Sequence, residues 1–171
     1  LALYYNKDMF TKAGLPEPKD KMTWEEFVDL SKKLTKGDVV GFGGNFDLAR
    51  LKYAAEATGS KIETADGKPN FTDPEVIKAI KQFIDMHTAK TLVTAEEKGA
   101  GWAGDLLGTG KVAMVMEGPW IQPFLAQNFK DLKYGVVEMP LTAGKPATAA
   151  YTVSLGINAD SKNKVAARAF I

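Results

Sequence analysis

The stretch AMVMEGPWIQPF, residues 113–124, sets an indole directly after an apolar run and a Gly-Pro pair. Gly118 lets a backbone turn sharply off a strand, and Pro119 fixes the entry to a helix. Together they would hold Trp120 at a strand's carboxyl end and a helix's amino end, where α/β sheets place ligands. Such a tryptophan has two readings. It fills a core, or its flat face covers the apolar C–H face of a sugar ring while other groups meet the hydroxyls. A second group lies in the Gly-rich turn GGNFDLAR, residues 43–50, which follows a short apolar run and carries Asn45, Phe46, Asp47 and Arg50. Asp47 and Arg50, one turn apart, form either an ordinary i, i+3 ion pair or a planar set of hydrogen-bonding groups for vicinal hydroxyls.

Other chemistries fail on composition or spacing. There is no cysteine and one histidine, His87, so no zinc set can be assembled. His87 sits near the end of a helical pattern, where a cation complements the helix dipole. The pairs Glu25/Glu26 and Glu96/Glu97 lie on polar stretches and read as solvated faces, not as carboxylates of unequal environment in one cleft. No G-x-S-x-G elbow occurs. GAGWAG, residues 99–104, spells a dinucleotide fingerprint but follows the polar TAEEK instead of a buried strand. In GDLLGTGKV, Gly104 is one residue too far from Gly110 and Lys111 for a phosphate loop, and Val112 replaces the required hydroxyl. Neither a catalytic residue, a metal site nor a cofactor is expected.

The elements that must position these groups alternate. Residues 1–6 read as a buried strand, so Tyr4 and Tyr5 belong to a core. TWEEFVDLSKKL is a helix with a capping box between Thr23 and Glu26, its Trp24, Phe27, Val28 and Leu34 facing inward. A strand at 39–42 leads to the Gly-rich turn, and a helix near 47–57 carries Leu48, Leu51 and Ala55. Asp73 and Pro74 start the clearest helix, with a stripe of Val76, Ile77, Ile80, Phe83 and Ile84. After a short helix at 102–108 come a strand VAMVM, a helix PWIQPFLAQN kinked or cut short at Pro123, and strands at 134–140 and 151–158. A last helix, SKNKVAARAFI, turns Val165, Ala169 and Phe170 inward. Strands alternating with helices indicate an α/β layer architecture. The formal net charge of +1 argues against nucleic acid as partner, and no apolar run is long enough to span a membrane. Of 22 basic residues only Arg50 and Arg168 are arginine.

Four segments, in order, resemble extracellular solute-binding proteins of family 1, the substrate receptors of ATP-driven sugar importers. LALYYNKDMFTKAGLPEPKDKMTWEEFVDLSKKL is similar to that family's YYNKD…AGL…TWEE segment, and LLGTGKVAMVMEGPW to its GKAAM…GPW. LKYGVVEMPLTAGKPA resembles its return crossover, and SLGINADSKNKVAARAFI its GI…SKNKE segment. The resemblance implies one lobe of a two-lobe, type II periplasmic-binding-protein fold, a sheet flanked by helices. Residues 1–139 would be the second lobe; 140–171 would be the crossover and a strand-helix piece of the first. That piece, isolated from its own sheet, is expected to be disordered, repacked or paired with another chain over 150–171.

The resemblance further implies a non-catalytic, extracytoplasmic receptor, periplasmic or lipid-anchored. It would close on a sugar or oligosaccharide and deliver it to ABC transporter permease subunits, without entering the membrane itself. Trp120 would stack on the sugar, with Asp47, Arg50, Asn45, Phe46 and Gly118 around it. Asp47 matches an acidic sugar contact of maltose-binding protein, but Ala49 and Arg50 stand where that protein has aromatics. Alternatives are the same fold with a non-sugar solute, or a carbohydrate-processing enzyme lobe. A ferric-ion receptor fits poorly, since neighbours such as Tyr4 and Tyr5 point to opposite sides of a strand.

Overall fold

The computed structural model describes residues 1–150 and 152–171. A five-stranded mixed sheet is built from β1 (Ala2–Asn6), β2 (Val40–Gly43), β3 (Leu92–Val93), β4 (Val112–Glu117) and β5 (Tyr134–Val137), in the order β3-β2-β4-β1-β5. β2 runs parallel to β3 and β4, while β1 is antiparallel to β4 and β5. The helices are α1 (Lys7–Ala13), α2 (Trp24–Leu34), α3 (Leu48–Ala57), α4 (Pro74–Thr88), α5 (Ala103–Gly108), α6 (Ile121–Asn128) and α7 (Lys164–Phe170).

Two apolar clusters clothe the sheet. One joins Leu3, Phe42, Met114 and Met116 to Trp24 and Phe27 of α2, Leu51 and Tyr53 of α3, and Val76 and Phe83 of α4. The other sets Tyr4, Val112 and Val115 against Leu106 and Leu107 of α5 and Ile121 and Leu125 of α6. Covered on both sides, β4 is buried at all six positions, as the apolar run 112–116 requires, and its last residue, Glu117, is buried with it. Trp24 is a core residue, touching Phe27 at 5.2 Å and Phe83 at 4.9 Å between ring centroids. Tyr4 and Tyr5 are buried as well.

Caps follow the side-chain chemistry read from the sequence. The Thr23 and Glu26 box closes reciprocally at 3.1 and 2.8 Å, and Asp73 accepts from the Glu75 and Val76 amides ahead of Pro74. Pro123 neither kinks nor stops its helix. It is the third residue of α6, where the missing N–H would have had no partner in the helix anyway. The inward face of α4 is rotated from the expected stripe. Val76, Ala79, Phe83 and Met86 are buried, while Ile77 and Ile84 are exposed. Leu48 is likewise exposed at the start of α3. An apolar arc wider than the contact leaves its packing to α3 and the sheet to choose.

In the chain's final part the expected helix forms but, among the described residues, the expected strand does not. Residues 140–149 stay on the sheet domain: the Leu141 amide donates to the Met22 carbonyl, Thr142 is buried, and Ala147 and Ala149 lie against the larger cluster. Beyond them no strand forms over 152–158, and Tyr151 lies outside the described residues. α7 forms, but Val165, Ala169 and Phe170 are exposed instead of inward. A two-turn helix has nothing to bury against when no sheet lies beneath it.

Tyr5 carries a pH-dependent part of the stability. Its ring lies over Gly135, its cross-strand partner, where any β-carbon would collide at 2.2 Å. Its hydroxyl donates to the Glu17 carboxylate at 2.7 Å. Burial, reinforced by that hydrogen bond and charge, pushes the phenol up to about 12. The fold therefore favours the protonated ring, and the stabilisation is complete below about pH 10, the ordinary tyrosine value. It is lost as pH rises from there through 12. Denaturant midpoints followed over this window should fall more steeply for the natural chain than for Tyr5→Phe.

Candidate functional site

Because β2 and β4 are parallel, their carboxyl ends, Gly43 and Glu117, open on the same edge of the sheet. The antiparallel β1 brings its amino end there too, Ala2 facing Glu117. The Gly-rich turn leaves β2 at this rim. Asp47 caps α3, its Oδ1 accepting from the Arg50 amide at 2.9 Å. Asp47 Oδ2 also accepts from Arg50 Nη1 at 2.7 Å, so the i, i+3 pair does form.

Arg50 does not end there. Its Nη2 reaches across to β4 and donates to both oxygens of Glu117, at 2.8 and 2.9 Å. The Trp120 Nε1–H donates to the same carboxylate at 3.0 Å. Asp47, Arg50, Glu117 and Trp120 thus form one continuous hydrogen-bonded chain joining the two loops. The Glu117 side chain is 0% exposed, that of Arg50 23% and that of Asp47 38%. Burial opposes the Arg50 charge, but Glu117 and Asp47 outweigh it and raise the guanidinium above its ordinary value. Its Nε is buried without a hydrogen-bond partner.

Trp120 is not a core filler, since 43% of it is exposed. Gly118 is required for a reason other than a turn. It lies outside the left-handed region, yet a β-carbon built on it meets indole atoms at 2.2 and 2.3 Å. The indole rests on the glycine. Gly118→Ala should push the ring off its seat and break its bond to Glu117, at a cost of about 1.5 kcal/mol, the low end for a bond to a charged acceptor. Iodide quenching of the Trp120 emission, taken as the difference from Trp120→Ala, should change with it.

Phe46 is exposed at the rim, its ring edge-on to His87 at 5.3 Å, and Asn45 beside it is half-buried. His87 closes the last turn of α4, as its position in the sequence implies, and also meets Glu97 at 2.8 Å. Trp102 packs against Phe124 on the other sheet face. The rim is an open wall. A surface cavity of about 460 Å³ lies at the opposite end of β2, between Met9, Lys12, Lys36 and Val39. Among the described residues no group of His, Asp or Glu could hold a metal ion, and no helix is long and apolar enough to cross a membrane.

Glu117 is the member that reasoning from sequence passed over. Its one signal is a carboxylate immediately after five apolar residues and before Gly-Pro-Trp. A strand read as ending at Met116 leaves that carboxylate in a loop, where charge is ordinary.

A model of the bacterial extracellular solute-binding protein family matches residues 1–171. The chain belongs to that family. The galactooligosaccharide-binding protein of Bacillus subtilis is 31% identical over 178 residues, covering 95% of this chain and 40% of that protein. An sn-glycerol-3-phosphate-binding periplasmic protein of Shigella dysenteriae is 31% identical over 96 residues, or 50% of this chain and 22% of that one. A solved ABC substrate-binding protein from Listeria monocytogenes, in complex with cycloalternan, superposes with a TM-score of 0.79 at 23% identity, over 99% of this chain and 44% of that one. That likeness establishes the fold as one lobe of a solute-binding protein. The chain spans about two fifths of the length of the curated relatives it matches over most of its own length. The family is one of binding proteins, not catalysts.

Proposed function

We propose that this chain is the greater part of one lobe of an extracytoplasmic receptor for a sugar or oligosaccharide. The complete protein closes about a hinge on its solute and delivers it to the permease of an ABC importer. Residues 1–139 form the second lobe, and 140–171 carry the crossover and a strand-helix piece of the first. The receptor works in the periplasm or tethered at the outer face of the cell membrane.

One observation carries this reading. A half-exposed indole, seated on Gly118 and held by Glu117, stands at the same rim as the polar turn bearing Asn45, Phe46, Asp47 and Arg50. A flat apolar surface beside fixed donors and acceptors suits a sugar ring, which offers C–H groups on its faces and hydroxyls around its edge. The family and its sugar-binding relatives support the same choice. The enzyme alternative is weaker, because Asp47 and Glu117 both pair with Arg50 instead of facing each other across a gap with one carboxyl kept protonated.

Titrating the complete protein with a panel of neutral mono- and oligosaccharides tests it. Saturable quenching or shift of tryptophan emission is expected, with no product by chromatography. Slow cleavage or transfer of an oligosaccharide would instead favour the enzyme lobe. The present chain alone should bind at least tenfold more weakly, because one wall cannot bury the solute.

A further inference from the structure

We infer that this site selects uncharged polyhydroxylated solutes and rejects their phosphate esters, because its one cationic side chain is already committed to two carboxylates. The inference deepens the sugar-receptor reading and rests on it.

The segments that build the rim are 1–3, 40–51, 112–129 and 134–144. Arg50 is their only basic side chain, against Asp47, Glu117 and Glu138; the α-amino group of Leu1, whose charge also acts on Glu117, donates to the Ala149 carbonyl at 2.8 Å. Within the hydrogen-bonded chain the charges are −1 for Asp47, +1 for Arg50 and −1 for Glu117, a sum of −1. Both terminal nitrogens of the guanidinium are held, Nη1 by Asp47 and Nη2 by Glu117. The amino end of α3, which would otherwise attract an anion, is already capped by the Asp47 carboxylate. The amino end of α6 begins four residues past Glu117, and its N-cap residue Trp120 donates its indole N–H to that buried carboxylate, which supplies negative charge nearby.

A phosphate ester therefore meets a wall of net negative charge. To gain a bidentate contact it must pull Arg50 away from Glu117, which would leave a fully buried carboxylate with one hydrogen bond among the described residues, from the Trp120 N–H. A neutral polyol meets no such penalty. Its hydroxyls can donate to Asp47, the most exposed of the three charged groups, while its ring covers the indole. Within a family that includes a receptor for sn-glycerol 3-phosphate, this wall belongs with the neutral-solute members.

The test titrates the complete protein with matched pairs: D-galactose and its 6-phosphate, D-mannitol and its 1-phosphate, maltose and its 6′-phosphate, and glycerol with sn-glycerol 3-phosphate. Isothermal calorimetry should show at least one neutral member binding, with its ester weaker by about a hundredfold or more, as like charges brought together in a closed site require. Glu117→Gln, which keeps the shape but frees Arg50 from one carboxylate, should narrow that ratio at least tenfold. An ester that binds as tightly as its neutral partner overturns the inference and leaves the sugar-receptor reading standing. A ratio unmoved by Glu117→Gln in a variant with normal circular dichroism also overturns it. If neither these pairs nor the wider neutral panel bind, both readings fall.

Discussion

Replacing Arg50 with Ala should lower the unfolding free energy of this chain by about 3–5 kcal/mol, the range for breaking a buried ion pair by removing one partner. The loss arises chiefly at the partner. Glu117 is fully buried and accepts from Arg50 through both oxygens; without Arg50 the one hydrogen bond left to it among the described residues is from the Trp120 N–H. Asp47 suffers less, being 38% exposed and still bonded to the backbone at the start of α3. The pairing account makes a sharper demand on the double variant. Adding Glu117→Gln removes the stranded charge and should recover most of the loss. Urea midpoints of the natural chain, both single variants and the double variant supply the cycle. If the double variant is as unstable as Arg50→Ala, the guanidinium contributes through its packed stem and not through Glu117.

Trp120→Ala in the complete protein should weaken solute binding at least about thirtyfold, the effect of truncating an anchoring aromatic that contributes 2 kcal/mol or more. Its cost to folding should be small beside that of a core aromatic such as Phe27, which is 0% exposed where Trp120 is 43%. For buried aromatics truncated to Ala the loss is about 3–5 kcal/mol. The two measurements separate the roles. A binding loss with a destabilisation no larger than the about 1.5 kcal/mol of the lost bond to Glu117 belongs to a ligand surface, whereas a fall of core size would return Trp120 to the core. Trp120→Phe sharpens the result: it keeps a flat ring but loses the N–H that points at Glu117. Binding intermediate between the natural protein and the Ala variant is expected.

Much of the scaffold is written locally in the chain. The Thr23-Glu26 capping box, the Asp73-Pro74 helix start and the apolar run of β4 each declare themselves within a few residues. They do so because caps and buried strands depend on neighbours in sequence. The same is true of Gly118-Pro119-Trp120 as a strand-to-helix junction, and of Asp47 and Arg50 as partners one turn apart.

What joins these two places is invisible along the chain. Arg50 and Glu117 are 67 residues apart and meet only because β2 and β4 lie side by side and parallel. Whether Glu117 faces water or the interior, whether Gly118 turns the backbone or seats an indole, and which residues of α4 point inward are questions of packing. Ile77 and Ala79 illustrate it: the larger apolar side chain is exposed and the smaller one buried, because the surfaces brought against a helix select its buried face, not its composition. The chain alone determined most of the elements and the candidate indole. Only the tertiary structure decided that a carboxylate holds it, since a charge is stable in an interior solely where distant segments bring it a counter-charge and donors.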